Sequence, residues 1–370
     1  MSLFNELNAA ASASSGEITY VEFPNLFSGD IPINKVAFRI FGINVYWYGV
    51  IITAAVALGV LYSLKRAKKA GVLPDNVFDV AFWGTIGGII GARAYYVIFW
   101  NLNPENEYKY TLSTAITGIR GGGLAIYGGL IGAAFAGLAA AKLLKIKFPP
   151  IADLVGMGFL IGHCVGRWGN LVNQEAFGAP TAGNLPWGMT GRPYIAEFIR
   201  EQQTAGIVAD GENVLVHPCF LYESLWCLLG FAILHFYAEK FRSFDGEIFL
   251  LYVFWYGAGR AFIEQLRTDS LMAGGLKASQ VLAVASAVFA LILFVYFKKT
   301  LNKASGYTMY KDTEQSRLII GEFEYRAKLE KEKGRAKRAL KRVRRDLEEP
   351  SAPSVLGGGE TGGSDSGENN

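Results

Sequence analysis

Residues 45–64, VYWYGVIITAAVALGVLYSL, run for twenty positions without a charged side chain. A helix of about 20 apolar residues matches a bilayer hydrocarbon core of roughly 30 Å. Six further runs of this character follow, at about 77–100, 121–144, 151–171, 218–237, 248–266 and 281–297. The chain has 370 residues, 51% hydrophobic and 18% charged, which is more apolar than one soluble core of this length needs. No ten-residue alternation of a membrane barrel is present, and a bilayer offers no water to unpaired backbone groups, so the runs are expected as helices. The expected fold is an all-α integral membrane protein with seven transmembrane helices. Pro149-Pro150 and Pro218 stand where two of the helices should begin.

Lysines and arginines in the short loops set the expected orientation. Lys65, Arg66, Lys68 and Lys69 follow the first run, Lys142, Lys145 and Lys147 the third, Lys240 and Arg242 the fifth, and Lys298, Lys299 and Lys303 the seventh. On the other side Lys109 is set against Glu105 and Glu107, and the loop after the sixth run holds Arg267, Asp269 and Lys277. The N-terminus is therefore expected outside and the C-terminus in the cytoplasm. The first 35 residues lack a basic stretch, short apolar core and small-residue cleavage site, so the first run is expected to act as an uncleaved insertion signal.

Three segments follow from this pattern: an outer-face N-terminal segment, 1–44; a seven-span domain, 45–300; and a cytoplasmic tail, 301–370. The domain carries an outer-face insertion at 173–216, where GAPTAGNLPWGMTGRP breaks the apolar pattern before a short polar helix, YIAEFIREQQTAG. In the tail, residues 329–349 lean basic and suit a solvated helix, a disordered stretch or a surface for anionic headgroups, while 353–370 are Gly/Ser-rich and acidic. Cys164, Cys219 and Cys227 are few and lie in or beside the apolar runs, which suggests packing residues and neither a disulfide framework nor a metal site.

Ionisable groups near a membrane interior are costly and usually face a protein interior or a wet cavity. The run HCVGRWGNLVNQEAFG, 163–178, ends the fourth span with Arg167, Asn170, Asn173 and Glu175. Tyr256, Arg260 and Glu264 are spaced i, i+4, i+8 near the outer end of the sixth span, on roughly one helix face. His217, Tyr222 and Glu223 open the fifth span, and Tyr48 and Tyr127 lie in the outer halves of the first and third. Five spans thus bring polar groups to one depth.

Plainer readings stand beside these. Arg260 and Glu264 could be an ion pair neutralising itself, and Arg167 a snorkelling interfacial arginine. Arg93 in GARAYYV is open between structure and function. His235 reads as interfacial and His163 as a satisfied packing residue, leaving His217 as the candidate histidine. The glycines around Tyr127, in RGGGLAIYGGLIGA, suit close helix packing or room for an acyl chain.

The run GRWGNLVNQEAFG, 166–178, resembles the diagnostic motif of bacterial phosphatidylglycerol:prolipoprotein diacylglyceryl transferases, with a Gly-Arg pair before two Asn, a Glu and a closing Gly. Supporting matches are WYG at 47–49, GAR at 91–93, GGL and GGLIG around Tyr127, HPCFLYE at 217–223 and the residues from Tyr256 to Glu264. Leu171 replaces the usual Phe, and Tyr127 stands where several members carry His, which puts one proposed base in question.

The resemblance implies transfer of the diacylglyceryl group of phosphatidylglycerol to the lipobox cysteine thiol of a prolipoprotein, giving a thioether and releasing glycerol phosphate. It implies a site facing the outer leaflet of the bacterial cytoplasmic membrane, with no nucleotide, metal or organic cofactor and no nucleic-acid partner. Arg260, Tyr127, His217 and Glu264 are then expected as catalytic residues. Arg167, Asn170, Tyr48, Asn173, Glu175, Gly178 and Tyr256 are expected to bind substrate, with Arg167 on the lipid phosphate and Glu264 holding Arg260. Attack needs a thiolate, and the departing phosphate needs donors in a site of low dielectric. A secondary transporter or a non-catalytic lipid-binding scaffold is the alternative, although seven spans do not halve into repeats and the polar groups avoid the midplane.

Overall fold

The computed structural model describes residues 18–104, 106–118, 122–181, 183–207, 214–268, 272–273, 276–303 and 306–348. Glu105, Asp269, residues 1–17 and the acidic segment 353–370 lie outside them. The described chain begins with four short strands, β1 (Ile18–Glu22), β2 (Ile31–Asn34), β3 (Val36–Ile40) and β4 (Ile43–Tyr46). Helices α1 (Trp47–Arg66), α2 (Pro74–Leu102), α3 (Leu112–Thr117), α4 (Ile126–Leu143) and α5 (Phe148–Asn173) follow. Then come β5 (Pro180–Thr181), β6 (Thr190–Arg192), α6 (Tyr194–Thr204), β7 (Leu215–Val216), α7 (Cys219–Lys240) and α8 (Glu247–Leu266). The last are β8 (Met272–Ala273), β9 (Leu276–Lys277), α9 (Ala278–Lys303) and α10 (Glu314–Glu348).

Each of the seven apolar runs is a helix. Six of them are long and apolar enough to cross a membrane: α1 with the turn that extends it to Ala70, α2, α4, α5, α7 and α9. Helix α8 has the length but carries Arg260 and Glu264 among aromatic and small residues, and falls short in apolarity. The helices turn large side chains outward, among them Ile90, Leu130, Phe135, Phe236 and Phe289. So much exposed apolar surface on long helices suits hydrocarbon and is foreign to a water-soluble monomer. The protein is a mostly helical integral membrane protein, and the strands outside the helices add short β structure to the expected all-α design.

Small residues set the helix crossings. Gly87 and Gly91 of α2 face Gly128 and Gly132 of α4, where a Cβ on Gly91 would fall 2.4 Å from the Gly128 carbonyl oxygen and one on Gly132 2.2 Å from that of Gly87. Backbones this close are the known use of small-xxx-small patterns in membrane helices. The glycines around Tyr127 are thus packing residues. Gly59 of α1 meets Gly158 of α5 in the same way. Helices α7 and α8 are joined by Trp226 and Trp255, stacked at 4.5 Å, each indole N–H donating to the other's carbonyl at 2.9 and 3.0 Å. Cys164, Cys219 and Cys227 form no disulfide among the described residues, and the last two are buried.

Outside the helices, β1 pairs with β2 and with β6, so the N-terminal segment and the insertion after α5 share one antiparallel sheet. The insertion also holds α6, where the polar helix was expected. Buried Gln174, which ends α5 with φ 52°, fastens that sheet to the helix: its Nε2 donates to the carbonyls of Tyr20 at 2.8 Å and Arg192 at 3.0 Å. Residues 1–320 form one unit and 321–370 a second. The described part of the second is the exposed, charged continuation of α10.

Candidate active site

The motif GRWGN sits on the last turns of α5 because its glycines admit α1. A Cβ on Gly169 would lie 2.8 Å from the Tyr48 ring, and one on Gly166 3.3 Å from Ile52. Tyr48, on the first turn of α1, is thereby packed one turn from Arg167. Arg167 then points at Glu223 on the first turns of α7 and forms an ion pair through Nη2 and Oε2. Its Nη1 donates to Asn170 Oδ1 at 3.3 Å, and Asn170 Nδ2 donates to Glu175 Oε1 at 2.8 Å.

Glu223 is the hub. Its Oε1 accepts from Arg260 Nη1 at 2.8 Å and lies 3.4 Å from Arg267 Nη1. Arg260 divides its fork, with Nη2 2.6 Å from Glu264 Oε2. Glu264 also pairs with Arg267 Nε at 3.8 Å and accepts from the Ser279 hydroxyl of α9. The two carboxylates are 4% and 1% exposed, whereas Arg167 and Arg260 keep 17% and 16%. Among the described residues three guanidiniums converge on two buried carboxylates, with Arg167 and Arg260 on the more accessible side. That arrangement suits an anion that can take over part of the carboxylates' share of a planar fork.

The C-terminus of α8 is completed by the chain around it. Lys277 Nζ donates to the carbonyls of Glu264 at 2.7 Å and Arg267 at 2.6 Å, placing a cation at the negative end of the helix. Gly178 crosses here: its N–H donates to the His217 carbonyl at 2.8 Å, and a Cβ would stand 2.7 Å from the His217 Cβ and 2.8 Å from Cys219 Sγ. A glycine is needed at 178 by backbone packing, whatever substrate does there. Tyr256 stacks on His163 at 4.3 Å, and His163 Nε2 meets the Tyr252 hydroxyl at 3.2 Å, so His163 is a packed residue. His235 pairs with the Tyr62 hydroxyl at 2.8 Å.

His217 has a defined partner. Trp187 Nε1 donates to the Tyr222 oxygen at 2.8 Å, and the Tyr222 hydroxyl lies 3.1 Å from His217 Nδ1. An indole N–H can only donate, so the phenol proton is available to His217 Nδ1, and with that bond made the imidazole proton sits on Nε2. Partial burial lowers the His217 pKa from its ordinary 6.5, consistent with the neutral form. Its basic lone pair is therefore engaged.

Of the residues expected from sequence, Arg167, Asn170, Glu175, Arg260 and Glu264 are brought together, with Tyr48 beside them. Asn173 ends α5 on the turn above. Tyr127 is the second residue of α4, 37% exposed, and its hydroxyl makes no hydrogen bond among the described residues. Sequence reasoning placed Glu223 at the right depth without its role and treated Arg267 as a loop charge. A usable signal existed, since Glu223 is an acid in an apolar run with no basic residue three or four positions away, and Arg267 follows Arg260 by two turns.

Arg93 belongs to a different place. Buried between α2 and the loop before α4, it donates from Nε to the Ala115 carbonyl at 2.7 Å and from Nη1 to those of Gly122 and Gly123 at 2.9 and 3.1 Å. It clamps the loop that leads into Tyr127, which gives the GAR run a structural reading.

A family model described as prolipoprotein diacylglyceryl transferase matches residues 35–296. The chain is 39% identical over 273 residues to the phosphatidylglycerol–prolipoprotein diacylglyceryl transferase of Finegoldia magna, covering 74% of this chain and 99% of that protein. It is 42% identical over 277 residues to the enzyme of that name from Listeria innocua, covering 74% and 94%. The protein of that name from Clostridioides difficile matches at 39% over 268 residues, 72% of this chain and 96% of the other.

Proposed function

The chain belongs to the prolipoprotein diacylglyceryl transferase family, and on that premise we propose that the three-arginine, two-glutamate cluster is where it transfers the diacylglyceryl group of phosphatidylglycerol to a prolipoprotein. The acceptor is the lipobox cysteine thiol and the products are a thioether and glycerol phosphate. The observation that carries the assignment is the convergence of the guanidiniums of Arg167, Arg260 and Arg267 on the two buried carboxylates.

In this reading the lipid phosphate enters beside Arg167 and Arg260, where Nη donors held by Glu223 and Glu264 are already oriented. The thiolate sulfur attacks the glyceryl carbon that bears the phosphate, a C–S bond forms, the C–O bond breaks and its electron pair stays with the phosphate oxygen. The cost of the new charge on that oxygen is met by donors fixed before reaction. Asn170 and Tyr48 orient the headgroup, Asn173 and Glu175 line its approach, and Tyr256 walls the cavity with His163. The thiol proton passes to water at the mouth before the thiolate attacks. His217 with its occupied Nδ1 is a poor acceptor for it, and Tyr127 serves as a hydrogen-bond donor.

The membrane placement belongs to the same proposal. All seven helices that hold the apolar runs span the bilayer of a bacterial cytoplasmic membrane, with α8 tolerated because its charged face turns inward. The N-terminus and the insertion at 173–216 lie outside, the segment from 301 onward is cytoplasmic, and the site faces the outer leaflet. Support comes from the lysine and arginine excess at one set of helix ends and the sheet shared by residues 18–34 and 190–192 at the other.

Purified protein given labelled phosphatidylglycerol and a lipobox peptide should yield a thioether-linked diacylglyceryl peptide and glycerol phosphate. Solute uptake in vesicles with no such product would select the transporter reading instead.

A further inference from the structure

At the far end of the same helices lies a second basic cavity, of about 240 Å³. Arg66 and Lys69 at the end of α1, Arg242 after α7, and Lys311 bring four cations to it, against Asp153 and Glu239. From Tyr48 to Arg66 is eighteen residues of helix, so the cavity is about 27 Å from the site described above. Arg66 and Lys69 share Glu239, the second at 3.4 Å, and Arg242 lies between Asp153 at 3.1 Å and Asp245 at 2.5 Å. Lys311 has no carboxylate or other polar partner among the described residues. With Asp245 counted, the cluster keeps one positive charge in excess.

Lys311 is held there by the fold. Gly71, with φ +81°, admits the Lys311 backbone so closely that a Cβ would stand 2.4 Å from the Lys311 Cα. Ser316 Oγ donates to the Gly71 carbonyl at 2.7 Å, and Tyr310 N–H donates to Asp245 Oδ2 at 2.7 Å. The chain after α9 thus returns to set a free ammonium at the rim. Inside the rim the walls are apolar, from Leu154, Met157 and Ile248. A cationic rim over an apolar floor at the end of membrane helices matches an amphiphile with its phosphate at the rim and its glyceryl stem below.

We propose that this cavity binds the phosphate headgroup of an anionic phospholipid, held by Lys311, Lys69 and Arg66, at the end of the bundle opposite the transfer site. The site rests on the chain being a membrane protein and is independent of the transfer reaction. The test uses the full chain in phosphatidylcholine nanodiscs containing phosphatidic acid with a photoreactive group near the glycerol, a lipid without the headgroup of the transfer substrate. Adducts are expected on the peptides carrying Tyr62–Ala70 and Lys311. Lys69→Glu with Lys311→Glu should reduce them about tenfold, because charge-assisted contacts to phosphate become repulsive. In parallel nanodiscs that contain phosphatidylglycerol, and with a lipobox peptide added, the same variants should still carry out transfer. Unchanged labelling in the double variant overturns the proposal, and so does labelling confined to the Arg167 end. Loss of the adducts with millimolar inorganic phosphate would reassign the cavity to a free anion and overturn the lipid as its occupant. Should the double variant not fold, Lys311→Gln repeats the measurement with a residue that carries no ion pair.

Discussion

At one end of the bundle Glu223 is held by guanidiniums from α5, α8 and the residue just past α8; at the other, Glu247 and Asp153 are held by backbone amides in addition to Lys298 and Arg242. Glu247 accepts from Ser243 N–H at 2.5 Å and Phe244 N–H at 3.1 Å, besides Tyr237 and Lys298. Asp153 accepts from the N–H groups of Gly246 and Phe249, both at 2.9 Å. Glu223 has no backbone donor among the described residues. These backbone donors are already engaged within the turn, so Glu247 and Asp153 lock the α7–α8 turn to α5. Guanidiniums can exchange a carboxylate oxygen for a phosphate oxygen at little geometric cost. Equal expense of burying charge therefore serves two ends, and the donor type tells them apart.

The comparison breaks first at Arg167. Arg167→Ala should lower turnover by roughly 10² to 10³-fold, the usual loss for one fixed donor at a developing oxyanion. Arg167→Lys should be nearly as poor, since an ammonium cannot present two parallel donors. Near-normal turnover of the Lys variant would reduce the role to general positive charge. Next in size, Arg260→Ala should cost more than Glu264→Gln, because Glu264 is proposed to act on substrate through the arginine it pairs with. Abolished transfer in folded Glu264→Gln protein would make the carboxylate itself a reactant.

Glu247→Gln tests the other end. Loss of a buried charge-assisted bond should cost about 1.5–3 kcal/mol of stability, read as a lower unfolding midpoint, with turnover per folded molecule unchanged. A turnover defect there would erase the distinction between the two ends.

Much of this was legible in the sequence. All seven helices fall within a few residues of the apolar runs, because hydrocarbon thickness fixes the length and the requirement for internal hydrogen bonds fixes the type. The pairing of Arg260 with Glu264 followed from i,i+4 spacing. What one-dimensional spacing could not give was Glu223 as the shared partner, 56 residues from Arg167 and 37 from Arg260, because that depends on how α5, α7 and α8 pack. The sheet joining residues 18–34 to 190–192 was hidden for the same reason, and Asp153 and Glu247 show only as acids at helix starts.

A smaller effect belongs to Tyr127. As a donor to the headgroup or leaving phosphate, its loss in Tyr127→Phe should cost about 1.5–3 kcal/mol in the barrier, and Tyr127→His should keep substantial activity. A Phe variant with no detectable transfer, together with a His variant whose rate follows the imidazole pKa, would restore position 127 as the base.

The smallest effect expected is at His217, and it separates a bystander from a base. Burial lowers its pKa below 6.5, and the Tyr222 hydroxyl on Nδ1 further favours the neutral ring. Above about pH 7.5 the imidazole is essentially uncharged in folded and unfolded protein alike, so neither transfer nor stability should change with its titration there. Below 6.5 the unfolded chain takes up a proton before the folded one does, so the stability this residue contributes falls as pH drops toward the folded pKa. Imidazole resonances followed by NMR should show a midpoint under 6.5, and Tyr222→Phe should move it upward by removing the bond that favours the neutral form. Transfer by Tyr222→Phe at neutral pH should stay close to that of the parent. A rate that instead rises through an inflection near 6.5, and loses that inflection in His217→Asn, would identify His217 as the group that takes the thiol proton.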